Sequence, residues 1–314
     1  MLEITAYCPE FQKPWDEIAE QADNGHFMFR RSYMDYHADR FTDASFVVLN
    51  KGRPVGICPA NKTDEEWSSH GGLTFGGLCF LPKFNRIKNI ESAFENICDV
   101  LSKRGFKRAY VKPVPWIYHK APAEGEIYFL NRLGQAACTV EISTTVDLQN
   151  VPKASSSREW MKRKAHDAGF YVENSNDFEG FWDVLGGRLK QKYDRNPVHS
   201  VEEIKLLSCR FPENIRLFVV RDGMHNVVGG TVIFLNSHVA HTQYLAASED
   251  GMNNGALDLL IFYLIDLYKK RGQRYFDFGI SNEQNGKVLN SSLATFKEGF
   301  GGRSIIHHKF DFDL

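Results

Sequence analysis

No apolar run in these 314 residues approaches the roughly 20 needed to cross a bilayer, so the sequence offers no membrane span. The six cysteines, Cys8, Cys58, Cys79, Cys98, Cys138 and Cys209, form no CxxC pair and keep no regular spacing, which argues against a disulfide framework and against zinc. Cys58, Cys98 and Cys138 sit in apolar surroundings and are expected as buried thiols. An excess of one charge is missing too. The 38 basic and 39 acidic residues leave a net charge of −1, which argues against a nucleic-acid coat and against DNA as a partner, and leaves room for a local basic patch. GxSxG, HExxH and GxxxxGK[ST] are all absent, and with them the serine-hydrolase, zincin and P-loop chemistries. A GxGxxG-like search meets only Gly71-Gly72 and Gly76-Gly77, in a loop with no helix directly after it, so a dinucleotide fold is unsupported. His307 and His308 are strand neighbours that point to opposite faces and cannot share one ion, and no metal is assigned. The start Met1-Leu2-Glu3 lacks a basic segment followed by an apolar core, so the expected location is the cytoplasm.

What is present is the composition of a folded chain long enough for two domains of about 150 residues. The fold class expected is α/β with mixed sheets. Pro152 and Ser155-Ser156-Ser157 place the boundary near residue 150, giving domains 1–150 and 151–314. Leu2 to Tyr7 alternates like a strand, Pro14 to Ala22 and Arg30 to Phe41 read as helices, and Phe46 to Cys58 reads as a hairpin around Asn-Lys-Gly. Ile90, Ala93, Phe94, Ile97, Cys98 and Leu101 mark an amphipathic helix that Gly105 stops, with strands expected over Lys107–Val114 and Ala136–Leu148. The second half repeats the plan: a hairpin over 217–234, a strand from Thr242 to Ala247, and a helix from Ala256 to Lys270. LSKRGFKRAY (Leu101–Tyr110) echoes LYKKRGQRYF (Leu267–Phe276), which fits a duplicated domain. Ordinary capping of a helix end by basic residues and glycine would produce the same echo.

The C-terminal stretch carries the sharpest signal. Tyr275, Phe276 and Phe278 form a short strand interrupted by Asp277 and ended by Gly279; a polar loop follows, then a helix capped by Ser291 or Ser292, with Leu293 and Phe296 on one face and Lys297 beside them. Gly301-Gly302 turns the chain into a last strand in which Ile306, His308, Phe310, Phe312 and Leu314 alternate with polar residues. This pattern, FDFG followed by a variable loop and TFKEGFGG, resembles the C-terminal signature of the FemAB-like acyl- and aminoacyltransferases, tandem relatives of the GNAT N-acyltransferases.

The resemblance implies two tandem GNAT-like domains. It also implies transfer of an acyl or aminoacyl group from acyl-CoA or aminoacyl-tRNA, used as co-substrate with no tightly bound cofactor. The acceptor would be an amine on a small phosphorylated, sugar-linked or nucleotide-sugar-like molecule, in cell-wall or surface-polysaccharide synthesis. In the motif position where the family uses a Phe-Lys pair to meet the donor stand Phe296 and Lys297, with Lys297 as stabiliser of the developing oxyanion. The alternative is a structural ion pair of Lys297 with Asp277. Tyr244 is a donor or proton relay between splayed strands, or simply packed. Asn253, Asn254 and Gly255, just before the Ala256 helix, are the place for a donor pyrophosphate, with an asparagine as cap. The usual Gln/Arg-x-x-Gly-x-Gly/Ala pattern is missing there, which keeps a second possibility open: a non-catalytic binding or scaffold protein on a degenerate transferase fold. Lys162 and Lys164, on a basic helix starting near Ser157, and Lys192 and Tyr193 in a second basic cluster are candidates for a phosphorylated acceptor. Arg30, beside Arg31, opens a helix in the first domain, where a cation opposes the helix dipole and so suggests pairing with Asp/Glu or a bound anion.

Overall fold

Lys51 and Gly52 take φ values of 50° and 73°, the left-handed pair that a two-residue hairpin needs to match the right-handed twist of its strands. They join the strands Phe46–Asn50 and Arg53–Cys58 with Asn50 opposite Arg53, as the Asn-Lys-Gly signal predicts. The computed structural model describes residues 2–69, 71–133 and 136–314; His70, at the head of the glycine-rich stretch, and the side chain of Tyr193 lie outside that description.

The chain divides into two compact units, one running to Glu141 and joined by Ile306–Leu314, the other Ile142–Ile305. The division differs from the expected one near residue 150. It falls inside a single long strand, where no proline or serine run marks it, and the last nine residues belong with the first unit.

The first unit contains β1 (Leu2–Ala6), β2 (Thr42–Asp43), β3 (Phe46–Asn50), β4 (Arg53–Cys58), β5 (Asn61–Lys62), β6 (Glu66–Ser68), β7 (Cys79–Phe80) and β8 (Arg108–Val111). Its helices are α1 (Gln12–Gln21), α2 (Arg31–Met34), α3 (Ile87–Lys103) and α4 (Gly125–Arg132). One sheet has the order β1-β3-β4-β7. The expected amphipathic stripe of α3, Ile90, Ala93, Phe94, Ile97 and Leu101, packs with Phe46, Val48 and Phe80 in one core. The helix expected over Arg30–Phe41 is only α2 followed by a 3-10 turn at Asp35–His37. The segment is rich in weak helix formers, and the Arg31 guanidinium is drawn both to Asp35 (2.5 Å) and across to Asp43 (2.6 Å).

In the second unit β9 (Ala137–Asp147) leads to α5 (Ser156–Asp167), β10 (Tyr171–Ser175), α6 (Phe178–Tyr193), α7 (Val201–Arg210), β11 (Ile215–Arg221), β12 (Val227–Leu235) and β13 (Val239–Ala247). Then come α8 (Glu249–Asn253), α9 (Ala256–Lys270), β14 (Tyr275–Ile280), the small pair β15 (Asn282–Glu283) and β16 (Val288–Leu289), α10 (Ser291–Glu298) and the start of β17 (Arg303–Asp313), which from Ile306 onward belongs to the first unit. The strand order here is β10-β11-β12-β13-β14-β9, antiparallel except where β13 runs parallel to β14. Leu260, Ile261, Leu264 and Ile265 of α9 are buried against Val220, Ile233, Ala240 and Phe276. Each contributes about 1.5–3 kcal/mol by leaving water, so packing holds this helix in place more than its intrinsic propensity does.

Gly105 and Gly272, with φ of 83° and 85°, end α3 and α9 alike, and in both the next amide reaches back five residues, Phe106 N to Leu101 O and Gln273 N to Tyr268 O. Three local expectations differ from the structure. The cap of α10 is Asn290, whose Oδ1 accepts from Leu293 N at 3.0 Å, because its amide oxygen reaches the third residue on while Ser291 and Ser292 are already helical. In β17 the inward side shifts between His307, buried edge-on to Phe75, and Phe310, so Ile306 faces outward and the expected alternation holds only from Phe310. Cys138 is exposed near the start of β9, before that strand enters a core; Cys58 is buried and Cys98 half-buried.

Candidate active site

Strands β13 and β14 share only three rungs, Val239 with Tyr275, Ala240 with Phe276 and His241 with Asp277. Beyond His241 the strands part, while β13 continues to Ala247. On its other side, Ile233 of β12 faces Thr242 and Val232 faces Tyr244, leaving Gln243 as the extra residue of a bulge. A bulge beside a parting of strands frees main-chain groups in the middle of a sheet, where they are rigid and shielded. Gln243 adds a buried side-chain oxygen, Oε1, with no hydrogen-bond partner among the described residues.

At the last shared rung the polar residues converge. Asp277 is fully buried; its Oδ1 accepts from Ser143 Oγ and Thr145 Oγ1 of β9, each at 2.7 Å, and its Oδ2 lies 2.8 Å from His241 Nδ1. Ser143 and Thr145 are two apart on one strand and so share a face, which is how both reach one carboxylate oxygen. Accepting from three sides, Asp277 is an ionised carboxylate, and His241 Nδ1 carries the proton in their bond. Sequence reasoning singled out Asp277 only as a partner for Lys297 and missed His241, Ser143 and Thr145. The strand was expected to begin at Thr242, three residues after its actual start at Val239, which left His241 outside it. The available signal was weak, because Ser143 and Thr145 sit in a consecutive Ser143-Thr144-Thr145 run on a strand that also carries Thr139 and Glu141.

Lys297 is buried and donates to Gly279 O (2.8 Å), Ile280 O (2.7 Å) and Ser281 Oγ (3.0 Å), which uses all three of its N–H bonds. Burial pulls its ammonium down to about 8, and the charge of Asp277 pulls the other way. The expected ion pair of Lys297 with Asp277 is therefore replaced by a longer-range attraction: the lysine fastens the backbone just after Asp277, and the carboxylate is bonded to His241, Ser143 and Thr145. Phe296 packs edge-on against Phe300 with centroids 5.2 Å apart, and the Arg158 guanidinium lies over its ring at 5.2 Å.

Tyr244 stands on the parted segment of β13. Its hydroxyl is 2.5 Å from His199 Nδ1 and its ring meets Trp182 edge-on at 5.3 Å. At the start of α9 the asparagine cap is not formed. Gly255 occupies the cap position with φ of 80°, and Asn254 turns its amide back to Asp250 at 2.9 Å. A β-carbon on Gly255 would lie 2.3 Å from Met161 O, so α5 is laid directly against this turn. Asp258, in the first turn of α9, is 3.0 Å from Arg158, and burial lifts its carboxyl to about 6 against the pull of that arginine. Met161 O and the buried Asp258 therefore both stand at the turn where a donor pyrophosphate is expected.

The basic candidates divide. Lys164 donates to Asn253 O at 2.8 Å, which joins two positions expected to serve different substrates. Lys162 is exposed, with its ammonium 5.0 Å from the centre of the Phe262 ring. Lys192 lies exposed in the last turn of α6, which ends at Tyr193. Arg30, in the first unit, is exposed at the N-cap of α2. Among the described residues no helix is long and apolar enough to cross a membrane.

Residues 155–287 match the family described as acetyltransferase (GNAT) domain. No curated protein matches the chain in sequence. Among solved structures the chain is similar to FemX, at 10% identity and a TM-score of 0.68, covering 99% of this chain and 97% of that one. It is similar also to L-PGS from Bacillus licheniformis, at 12% identity and a TM-score of 0.64, over 96% of this chain and 91% of that one. A tandem GNAT protein from the clavulanic acid biosynthesis pathway aligns over 100% of this chain and 98% of its own, at 12% identity and a TM-score of 0.53. These likenesses place the whole chain in the acyl-CoA N-acyltransferase fold of tandem GNAT and FemX-like proteins, and with a GNAT domain on residues 155–287 the protein is an acyltransferase.

Proposed function

We infer that the protein moves an acyl or aminoacyl group from an activated donor onto an amine of a phosphorylated or sugar-linked acceptor. The observation that carries this reading is the parting of β13 from β14 beyond His241 and Asp277, next to the Gln243 bulge. Acyl transfer to an amine needs a slot for the donor, donors aimed at a carbonyl oxygen as it becomes negative, and an outlet for the amine proton; it needs no covalent nucleophile. Main-chain N–H groups of the parted β13 serve the second need, and the polar cluster at its base serves the third.

Between the two donor classes, the turn at Gly255 favours one that does not rest a pyrophosphate on α9, such as aminoacyl-tRNA, because Met161 O and Asp258 already occupy that turn. The exposed Lys162 and Arg163 on α5 are cations that suit a phosphorylated group, whereas Lys164 is bonded to Asn253 O. Cell-wall or surface-polysaccharide synthesis is the setting in which such acceptors occur. Incubating the purified protein with acyl-CoA or with charged tRNA, together with amino-sugar nucleotides, and detecting amide product by mass spectrometry tests the reading. Product from either donor supports it, and its absence from both sinks it.

A further inference from the structure

We propose that His241 is the catalytic base that takes the proton from the acceptor amine, with Asp277 as its positioning residue; this rests on the N-acyltransfer reading above. Four observations converge on the ring. His241 is the last residue of β13 paired with β14, so it stands where the strands begin to part. Its Nδ1 donates to Asp277 Oδ2 at 2.8 Å, which fixes the tautomer and puts the lone pair on Nε2. Asp277 cannot swing away, since Ser143 and Thr145 hold its other oxygen at 2.7 Å each. Finally, Gly279 takes φ of 74°, and a β-carbon there would come within 3.1 Å of His241 Cε1, so the chain passes close to the edge of the ring in a left-handed conformation that favours glycine.

Among the described contacts, Ser143 and Thr145 of β9 donate hydroxyls to Asp277, and Lys297 of α10 interacts with that carboxylate through its charge. Lys297 spends its N–H bonds on the 279–281 segment and acts on Asp277 through charge alone, so it does not compete with His241 for the carboxylate. In the reaction the amine nitrogen forms its bond to the donor carbonyl carbon while its proton passes to His241 Nε2. Asp277 steadies the resulting imidazolium. The carbon–sulfur or carbon–oxygen bond to the donor then breaks, the leaving thiolate or alkoxide takes the proton from Nε2, and the histidine returns to its starting tautomer.

The test uses the full-length protein with whichever donor the wild type accepts. His241→Gln keeps a donor toward Asp277 but has no basic nitrogen. Its kcat should fall about 10²- to 10⁴-fold with KM little changed, and the low-pH limb of the rate profile should disappear. Added imidazole should restore part of the rate of His241→Ala, which a purely structural role would not allow. Asp277→Asn should lower kcat while leaving imidazole rescue of the double variant intact. A His241→Gln rate within a few-fold of wild type with the same pH profile overturns the proposal and leaves the acyltransfer reading standing, as does loss of rate that imidazole does not restore in His241→Ala. A wild-type protein that makes no amide from either donor overturns both.

Discussion

Replacing Lys297 with methionine separates what the ammonium does from what its stem does. Methionine keeps most of the apolar packing and removes the donor, leaving Gly279 O, Ile280 O and Ser281 Oγ without it. Orphaned buried acceptors cost about 1–3 kcal/mol each, so the three together cost about 4–5 kcal/mol at the lower half of that range. Against this stands relief from burying a charge: a fall from 10.5 to about 8 corresponds to about 3 kcal/mol. Because folding lowers this pKa, the unfolded chain holds the proton more tightly between pH 8 and 10.5; the penalty on the native state is complete below pH 8 and fades as pH rises to 10.5. Lys297→Met should therefore lose only about 1–2 kcal/mol at pH 7, and the gap to wild type should widen by about 3 kcal/mol toward pH 10.5. Urea unfolding of both proteins at pH 7 and pH 10 reads this directly, since the titrations of all other groups cancel in the difference. A gap that stays flat with pH would show that the ammonium is not buried in the native state. Loss of turnover at an unchanged melting temperature would assign the lysine to the donor instead.

Asp258 runs the opposite way: burial raises its carboxyl from 3.8 to about 6, so its native state is favoured at low pH and loses about 3 kcal/mol as pH rises from 4 to 6, a decline that Asp258→Asn should abolish in thermal melts. Gly255→Ala combines a left-handed φ with a β-carbon 2.3 Å from Met161 O and should cost about 2–4 kcal/mol in chemical denaturation, whereas Gly105→Ala, where a β-carbon meets nothing, should cost only about 1–2 kcal/mol. A thiol reagent should label Cys138 and Cys209 at once and Cys58 and Cys79 only after denaturation, because burial raises both of the latter thiols well above their ordinary range.

How much of this was legible follows from which interactions are local. The α3 stripe, the Lys51-Gly52 hairpin and the glycine stops at Gly105 and Gly272 depend on neighbours within a few residues, and the sequence carried them. The α10 cap missed by one or two positions because Asn290, Ser291 and Ser292 are all good caps and only the helix start decides among them. The Phe296-Lys297 motif was visible, yet the acceptors of Lys297 were not, since two of them are main-chain carbonyls that any residue supplies. His241 was hidden for a different reason. Nothing in the AHTQY run distinguishes a histidine that meets a buried aspartate 36 positions later from one facing water. The closure of the α9 turn by Met161 was equally invisible, because it comes from how one helix lies on another.

The carboxylate of Asp277 joins three strands, and two of its partners, Ser143 and Thr145, precede it by 134 and 132 residues. Such separations place the closing of this cluster among the slow, non-local steps of folding, after β11, β12, β13 and α9 have had time to form from nearer contacts. A chain emerging from synthesis carries β9 with two hydroxyls committed to an acceptor not yet made. Assembly of the site is therefore a late event that reports on the completion of the second unit, and any fragment ending before Asp277 has β13 but neither the β14 side of the slot nor the carboxylate that ties its base.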